Sequence, residues 1–220
     1  MRRTVCGATL SLLLLGAAVG CGASEDNKQG SQQDKKPQAA PQTPKGVWQD
    51  GLKPAKKAGT VGTVGTPCVL PVAFDLAASW KPQPVGSQDI IEAPTQGPVT
   101  LTCEIDAKPA GNVGFLRVWS SLSGDLRARQ ALDSFLAEEQ NVSKPTFRET
   151  RAGALPATEA TYLTQPLPED EPKRERALSV ELPHGAVVLH LGGMDTAEHD
   201  AMLPAYELAR TSLTATGAVP

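Results

Sequence analysis

The sequence is poor in aromatic residues: four phenylalanines, three tryptophans and two tyrosines make up 4% of 220 positions. With 20 glycines and 19 prolines, that scarcity excludes a core running the whole length and assigns part of the chain to spacer. Charge of either sign is not in excess. A formal charge of −3 and a pI near 5.7 exclude the broad basic face that nucleic-acid binding uses. No apolar run reaches the ~18 to 20 residues of a spanning helix. The sequence also lacks G-x-S-x-G, S-x-x-K, H-E-x-x-H, P-loop and G-x-G-x-x-G motifs, so nothing in it assigns a catalytic residue, a metal ligand or a cofactor.

What is present starts with an export signal. Arg2 and Arg3 precede residues 4–19, which are apolar or small and centred on four consecutive leucines. The segment is too short, and too abruptly followed by polar chain, to span a bilayer. Ala18-Val19-Gly20-Cys21 resembles the lipobox of bacterial lipoproteins, in which the cysteine is diacylated on sulfur and becomes the mature N-terminus. The first position departs from the usual Leu. The polar run Ser24-Glu25-Asp26-Asn27-Lys28 suits the lipoprotein reading, the alternative being a secretory signal cleaved near Gly20. Arg2-Arg3 leaves twin-arginine export open beside the general route.

Residues 1–20 are thus expected as a signal peptide and 21–66 as a disordered tether. Apart from Val47, Trp48, Leu52 and two valines, the tether has almost no large apolar side chain to offset backbone entropy. Roughly 45 such residues span on the order of 35 to 40 Å. Trp48 either packs on its own domain, lies exposed, or docks a partner. Cys6 leaves with the signal and Cys21 carries lipid, so the other two cysteines, Cys68 and Cys103, remain as a natural disulfide pair in an exported domain, or as two buried thiols. A bridge closing some 35 residues adds about 3 to 4 kcal/mol in the chain-entropy model.

Residues 67–215 carry the periodicities of one α+β domain, with 216–220 as a loose tail. Residues 69–74 read as a strand interrupted at Pro71, and 79–82 as a turn. Val99, Leu101, Cys103 and Ile105 alternate with polar residues as a half-buried strand, and residues 112–119 read as a more central one. Residues 125–140 repeat apolar side chains at helical spacing. Strands follow at 145–151, 157–164, 177–182 and 186–191, and a helix closes the chain from 196 to about 213, kinked or restarted at Pro204. Strands, helix, four strands, helix describe a mostly antiparallel sheet with helices packed on it.

"PVAFDLAASW", "ALDSFLAEEQ", "FRETRAGALPATEATYL" and "VVLHLGGMDTAEHDAMLPAYELARTSL" resemble, over about residues 67–215, the PsbP-like domains of actinobacterial lipoproteins of the LpqN type. The resemblance implies an α/β/α sandwich and an accessory or binding protein without catalytic activity, since members act mostly by contacting proteins or small ligands.

The most crowded stretch is "HLGGMDTAEHDAML". His190, Asp195, Glu198, His199 and Asp200 are candidates for a metal site or an acid–base pair, because residues at i, i+3 and i+4 share a helix face. They fit equally a strand end broken at Gly192-Gly193, a helix capped by Asp195 or Thr196, and a capping-box acid at Glu198. The cap is favoured, and the two histidines then share no ligand. "PEDEPKRER" offers a partner-binding patch in Glu169, Asp170, Glu171, Lys173, Arg174, Glu175 and Arg176, but a solvated charged loop is the favoured reading. The sequon at Asn141 means little in a bacterial chain. The resulting expectation is a monomer, lipid-anchored on the outer face of the cell membrane. Its partners are that membrane and an envelope protein or small ligand, with no nucleic acid. Alternatives are a carrier of a lipid or small hydrophobic ligand, with a cleft lined by Phe115, Trp119 and Phe135, and a metal-dependent hydrolase around His190, Asp195 and His199.

Overall fold

The computed structural model describes residues 47–86, 92–121 and 124–217. The export segment, Cys21 and residues 21–46 lie outside these, as do 218–220. In chain order the strands are β1 (Lys57–Val61), β2 (Val72–Ala77), β3 (Lys81–Pro84), β4 (Thr95–Gln96), β5 (Val99–Asp106) and β6 (Gly114–Ser121). Helix α1 (Ala128–Glu138) follows, then β7 (Ser143–Ala152), β8 (Leu155–Thr164), β9 (Lys173–Leu182) and β10 (Gly185–Gly193), then helix α2 (Thr196–Ser212) and β11 (Thr214–Ala215). An antiparallel sheet in the order β3-β5-β6-β10-β9-β8-β7, with β4 on β5, forms the middle layer. Helix α1 covers one face over β8, β9 and β10, while α2 and the small sheet β1-β2-β11 cover the other. The fold is the expected α+β sandwich.

Each face has its own apolar core. Phe135, Leu132, Trp119, Val188 and Ala177 pack under α1, whereas Leu189, Leu191, Met202, Tyr206 and Phe74 pack under α2. Strand β5 serves both, because its ladder with β6 slips between Leu101 and Cys103. Leu101 faces Trp119 on the α1 side, and Cys103 faces Val118 on the α2 side. The extra residue of a bulge reverses which side chains point up, so one alternating run feeds two cores. Cys103 is bonded to Cys68 as expected, with the Cα atoms 6.1 Å apart. That bridge fastens the loop entering β2 to the central sheet.

Several boundaries differ from expectation. The domain begins at least as early as Val47, inside the segment read as tether. Residues 47–51 form a turn, and β1 pairs with β2. Strand β1 was invisible because it gives the core little beyond Val61 and is held by its backbone ladder. Strand β2 starts after Pro71, which has no N–H for the ladder. The expected turn at 79–82 is two residues earlier, and β3 carries Pro82 and Pro84 along the sheet edge, where proline discourages further pairing. Helix α1 is shorter than residues 125–140. At the C-terminus Thr216 is held too, its N–H donating to the Pro71 carbonyl at 3.0 Å.

Gly192 and Gly193 do not break β10, which runs through them opposite Phe115 and Gly114. A Cβ on Gly193 would sit 2.8 Å from the His199 nitrogen and 3.1 Å from the Met202 methyl. The glycine is there so that α2 can start against the sheet. Helix α2 passes through Pro204 as one element, and the Pro204 carbonyl accepts the Ala55 N–H at 2.8 Å.

Candidate functional site

The crowded stretch at the end of β10 disperses its polar residues. Asp195 caps α2, accepting the Glu198 N–H at 2.8 Å. Glu198 does not reach back as a capping-box acid; it accepts the Val113 N–H at 2.9 Å. Asp200 accepts from Gln49 at 2.9 Å and pairs with Arg174 at 3.1 Å. His199 is buried against the sheet with neither ring nitrogen hydrogen-bonded among the described residues. Burial above all, then the Arg176 charge, lowers its pKa to about 3. His190 points through the opposite face, toward α1. The strand end, turn and helix start expected here are present, and the two histidines lie on opposite faces of the sheet.

His190 has instead found a partner on β9. The charged run at 168–176, read as a solvated loop, ends inside that strand, and Glu175 and Arg176 are buried. Alternation sends Lys173, Glu175, Ala177 and Ser179 to the α1 face and Arg174, Arg176 and Leu178 to the other. The Glu175 carboxylate accepts from His190 Nε2 at 2.7 Å and pairs with Lys173 Nζ at 2.6 Å. The same ammonium donates to the Gly193 carbonyl at 2.8 Å. Burial by itself would raise the Glu175 pKa. His190 and then Lys173 overcome it and hold the carboxyl at about 2.

Around this pair the C-terminal end of α1 adds Glu139. One oxygen each of Glu139 and Glu175 and a ring nitrogen of His190 lie within 4.8 Å of one another. Glu139 also accepts from Gln96 at 3.1 Å. The Tyr162 ring stacks on the His190 imidazole (centroids 6.4 Å apart, planes 17° apart), and Phe135 meets that imidazole edge-on at 5.3 Å. Burial, then the Glu175 and Glu139 charges, push the Tyr162 hydroxyl well above its ordinary value. Trp119 Nε1, Tyr162 OH, Thr164 Oγ1, Ser179 Oγ and His190 Nδ1, all buried on this face, have no hydrogen-bond partner among the described residues.

The opposite face carries a second buried network of structural character. Arg176, fully buried, lies 3.7 Å from Glu159 and 3.8 Å from Glu207 and donates to the Trp48 carbonyl at 3.0 Å. Tyr206 donates to Glu159 at 2.8 Å, and Arg148 bridges Glu159 and Asp50 at 2.7 and 2.6 Å. The Arg148 guanidinium lies 4.3 Å over the Trp48 ring. Trp48 is thus packed on its own domain, and the network fastens residues 48–50 to the sheet.

The three rings considered for an apolar cleft do not line a common one. Trp119 and Phe135 pack edge to face at 5.4 Å within the core, and Phe115 stands half-exposed with the Arg117 guanidinium 4.9 Å above it. Asn141 is in a turn and donates to the Gln165 carbonyl at 2.8 Å. Sequence reasoning missed Glu139 and Tyr162 as site residues and took Lys173 and Glu175 for loop charges. The available signal was period 2 continuing through Lys173, Glu175 and Ala177 into an apolar strand.

The fold is similar to the solution structure of cyanobacterial PsbP (CyanoP) from Synechocystis sp. PCC 6803, with a TM-score of 0.42 and 11% identity over 71% of this chain and 98% of that one. No curated protein matches the sequence. The profile of a family described as "Uncharacterised lipoprotein" matches residues 38–213, and the chain belongs to that family.

Proposed function

We propose that this lipoprotein is held on the outer face of the cell membrane by diacylated Cys21 and acts as a binding or accessory protein, not as a catalyst. Family membership supports the lipid anchor, and Ala18-Val19-Gly20-Cys21 supplies the modified residue. The finer assignment, an actinobacterial protein of the LpqN type with an envelope protein or small ligand as partner, belongs to the same proposal.

The observation that carries a binding role is the set of polar atoms buried without a partner beneath α1. A buried polar atom without a partner costs about 1 to 3 kcal/mol, and five of them, unpartnered among the described residues, share one face with the hydrogen-bonded Glu175–His190 pair. Such a face is suited to a small polar ligand entering beside Glu139 and Lys173, which are only partly buried. Native mass spectrometry of the full lipoprotein extracted from membranes tests the reading. Excess mass that leaves on denaturation, and is missing from a Tyr162→Phe, Thr164→Val double variant, supports it. A native mass equal to chain plus lipid, with no crosslinked partner on living cells, refutes it.

A further inference from the structure

We infer that Glu139, Glu175 and His190 form a binding site for one divalent transition-metal ion of the zinc class. The inference rests on the α1 face being a binding surface and names what it binds. Two carboxylates and one imidazole are the donor set that zinc and its neighbours accept, and their donor atoms converge within 4.8 Å. Three elements bring them together: β9 places Glu175, β10 places His190, and the residue ending α1 places Glu139. The helix arrives by its C-terminal end, where the aligned peptide dipoles leave partial negative charge that favours a cation.

A second, independent feature points to the same place. Tyr162 is 2% exposed, its hydroxyl has no partner among the described residues, and it lies opposite Glu175 in the β8–β9 ladder with its ring stacked on the His190 imidazole. Both carboxylates act on that hydroxyl. It is positioned as a further oxygen for the ion or for a water bound to it. His190 can present Nε2 while its proton sits on Nδ1, which has no other bond to keep.

Lys173 fixes the affinity. Its ammonium is 2.6 Å from Glu175, where it serves as an internal cation competing with the metal. When the ion enters, the ammonium keeps its bond to the Gly193 carbonyl, 2.8 Å away, and releases the carboxylate. The residues at the site then carry two negative charges and one positive, against a divalent ion. Removing the lysine charge should therefore tighten binding, an effect opposite in sign to that of removing a ligand.

The test is calorimetric titration of chelator-stripped full chain with Zn2+ alone, with melting curves confirming the fold of each variant. Wild type is expected to take up one equivalent. Glu139→Gln, at a partly buried position, should lose that equivalent, and Lys173→Met should bind about tenfold or more tightly. The inference is overturned if wild type binds no stoichiometric zinc, or if both variants bind as wild type does. An organic ligand found on metal-free protein by native mass spectrometry would also overturn it, while leaving the broader binding reading in place.

Discussion

His199 makes the domain acid-sensitive in a way that one substitution should remove. The imidazole is fully buried, neither nitrogen is hydrogen-bonded among the described residues, and burial together with Arg176 and Arg174 lowers its pKa from 6.5 to about 3 against the opposing pull of Glu175. Between these two values the unfolded chain binds a proton that the folded chain refuses. Stability is therefore complete above pH 6.5 and falls as the pH drops toward 3. At pH 5 the loss from this residue is about 2 kcal/mol, growing to about 4 kcal/mol near pH 3. Glu175, with its pKa held at about 2 instead of 4.5, contributes stability above 4.5 that is lost only below it, so pH 5 isolates the histidine. His199→Leu fills a similar volume and removes the titration. Urea unfolding followed by circular dichroism at pH 8 and pH 5 should show the stability gap between variant and wild type widening by about 2 kcal/mol on acidification. Parallel losses in the two proteins would refute the reasoning.

Replacing Cys68 and Cys103 by alanine should lower stability by about 3 to 4 kcal/mol, read from urea midpoints; a midpoint unchanged from wild type would mean the bridge constrains nothing. Arg176→Met leaves Glu159 and Glu207 buried beside an apolar side chain and frees the Trp48 carbonyl. A loss of about 3 kcal/mol, with new protease cleavage near residues 48–52, is the expected result, and wild-type resistance would contradict the fastening role.

The parts of the fold that were legible from sequence are those in which one side-chain period runs uninterrupted. The alternation of Val99, Leu101, Cys103 and Ile105 marked β5, and the spacing of Ala131, Leu132, Phe135 and Leu136 marked α1. The bulge at Thr102 was not legible, because burial still alternates across it while the face it refers to changes. Strand β1 escaped for want of large side chains. The candidate site was half-legible: His190 stood out as one of three histidines, yet its partner Glu175 is 15 residues earlier on a neighbouring strand. Seven of the nine residues from Pro168 to Arg176 are charged, and composition of that kind ordinarily means solvent. Here β9 carries two of those charges into the interior, where Lys173 and His190 on one face and Glu159 and Glu207 on the other offset their desolvation.

The central claim, a binding domain tethered by lipid, is tested most directly at Cys21. Mass analysis of the N-terminal peptide from membrane-extracted protein should find Cys21 as the first residue, bearing a diacylglyceryl group, with Cys21→Ser moving the protein into the medium. An unmodified mature N-terminus, or a serine variant still retained on membranes, would contradict it.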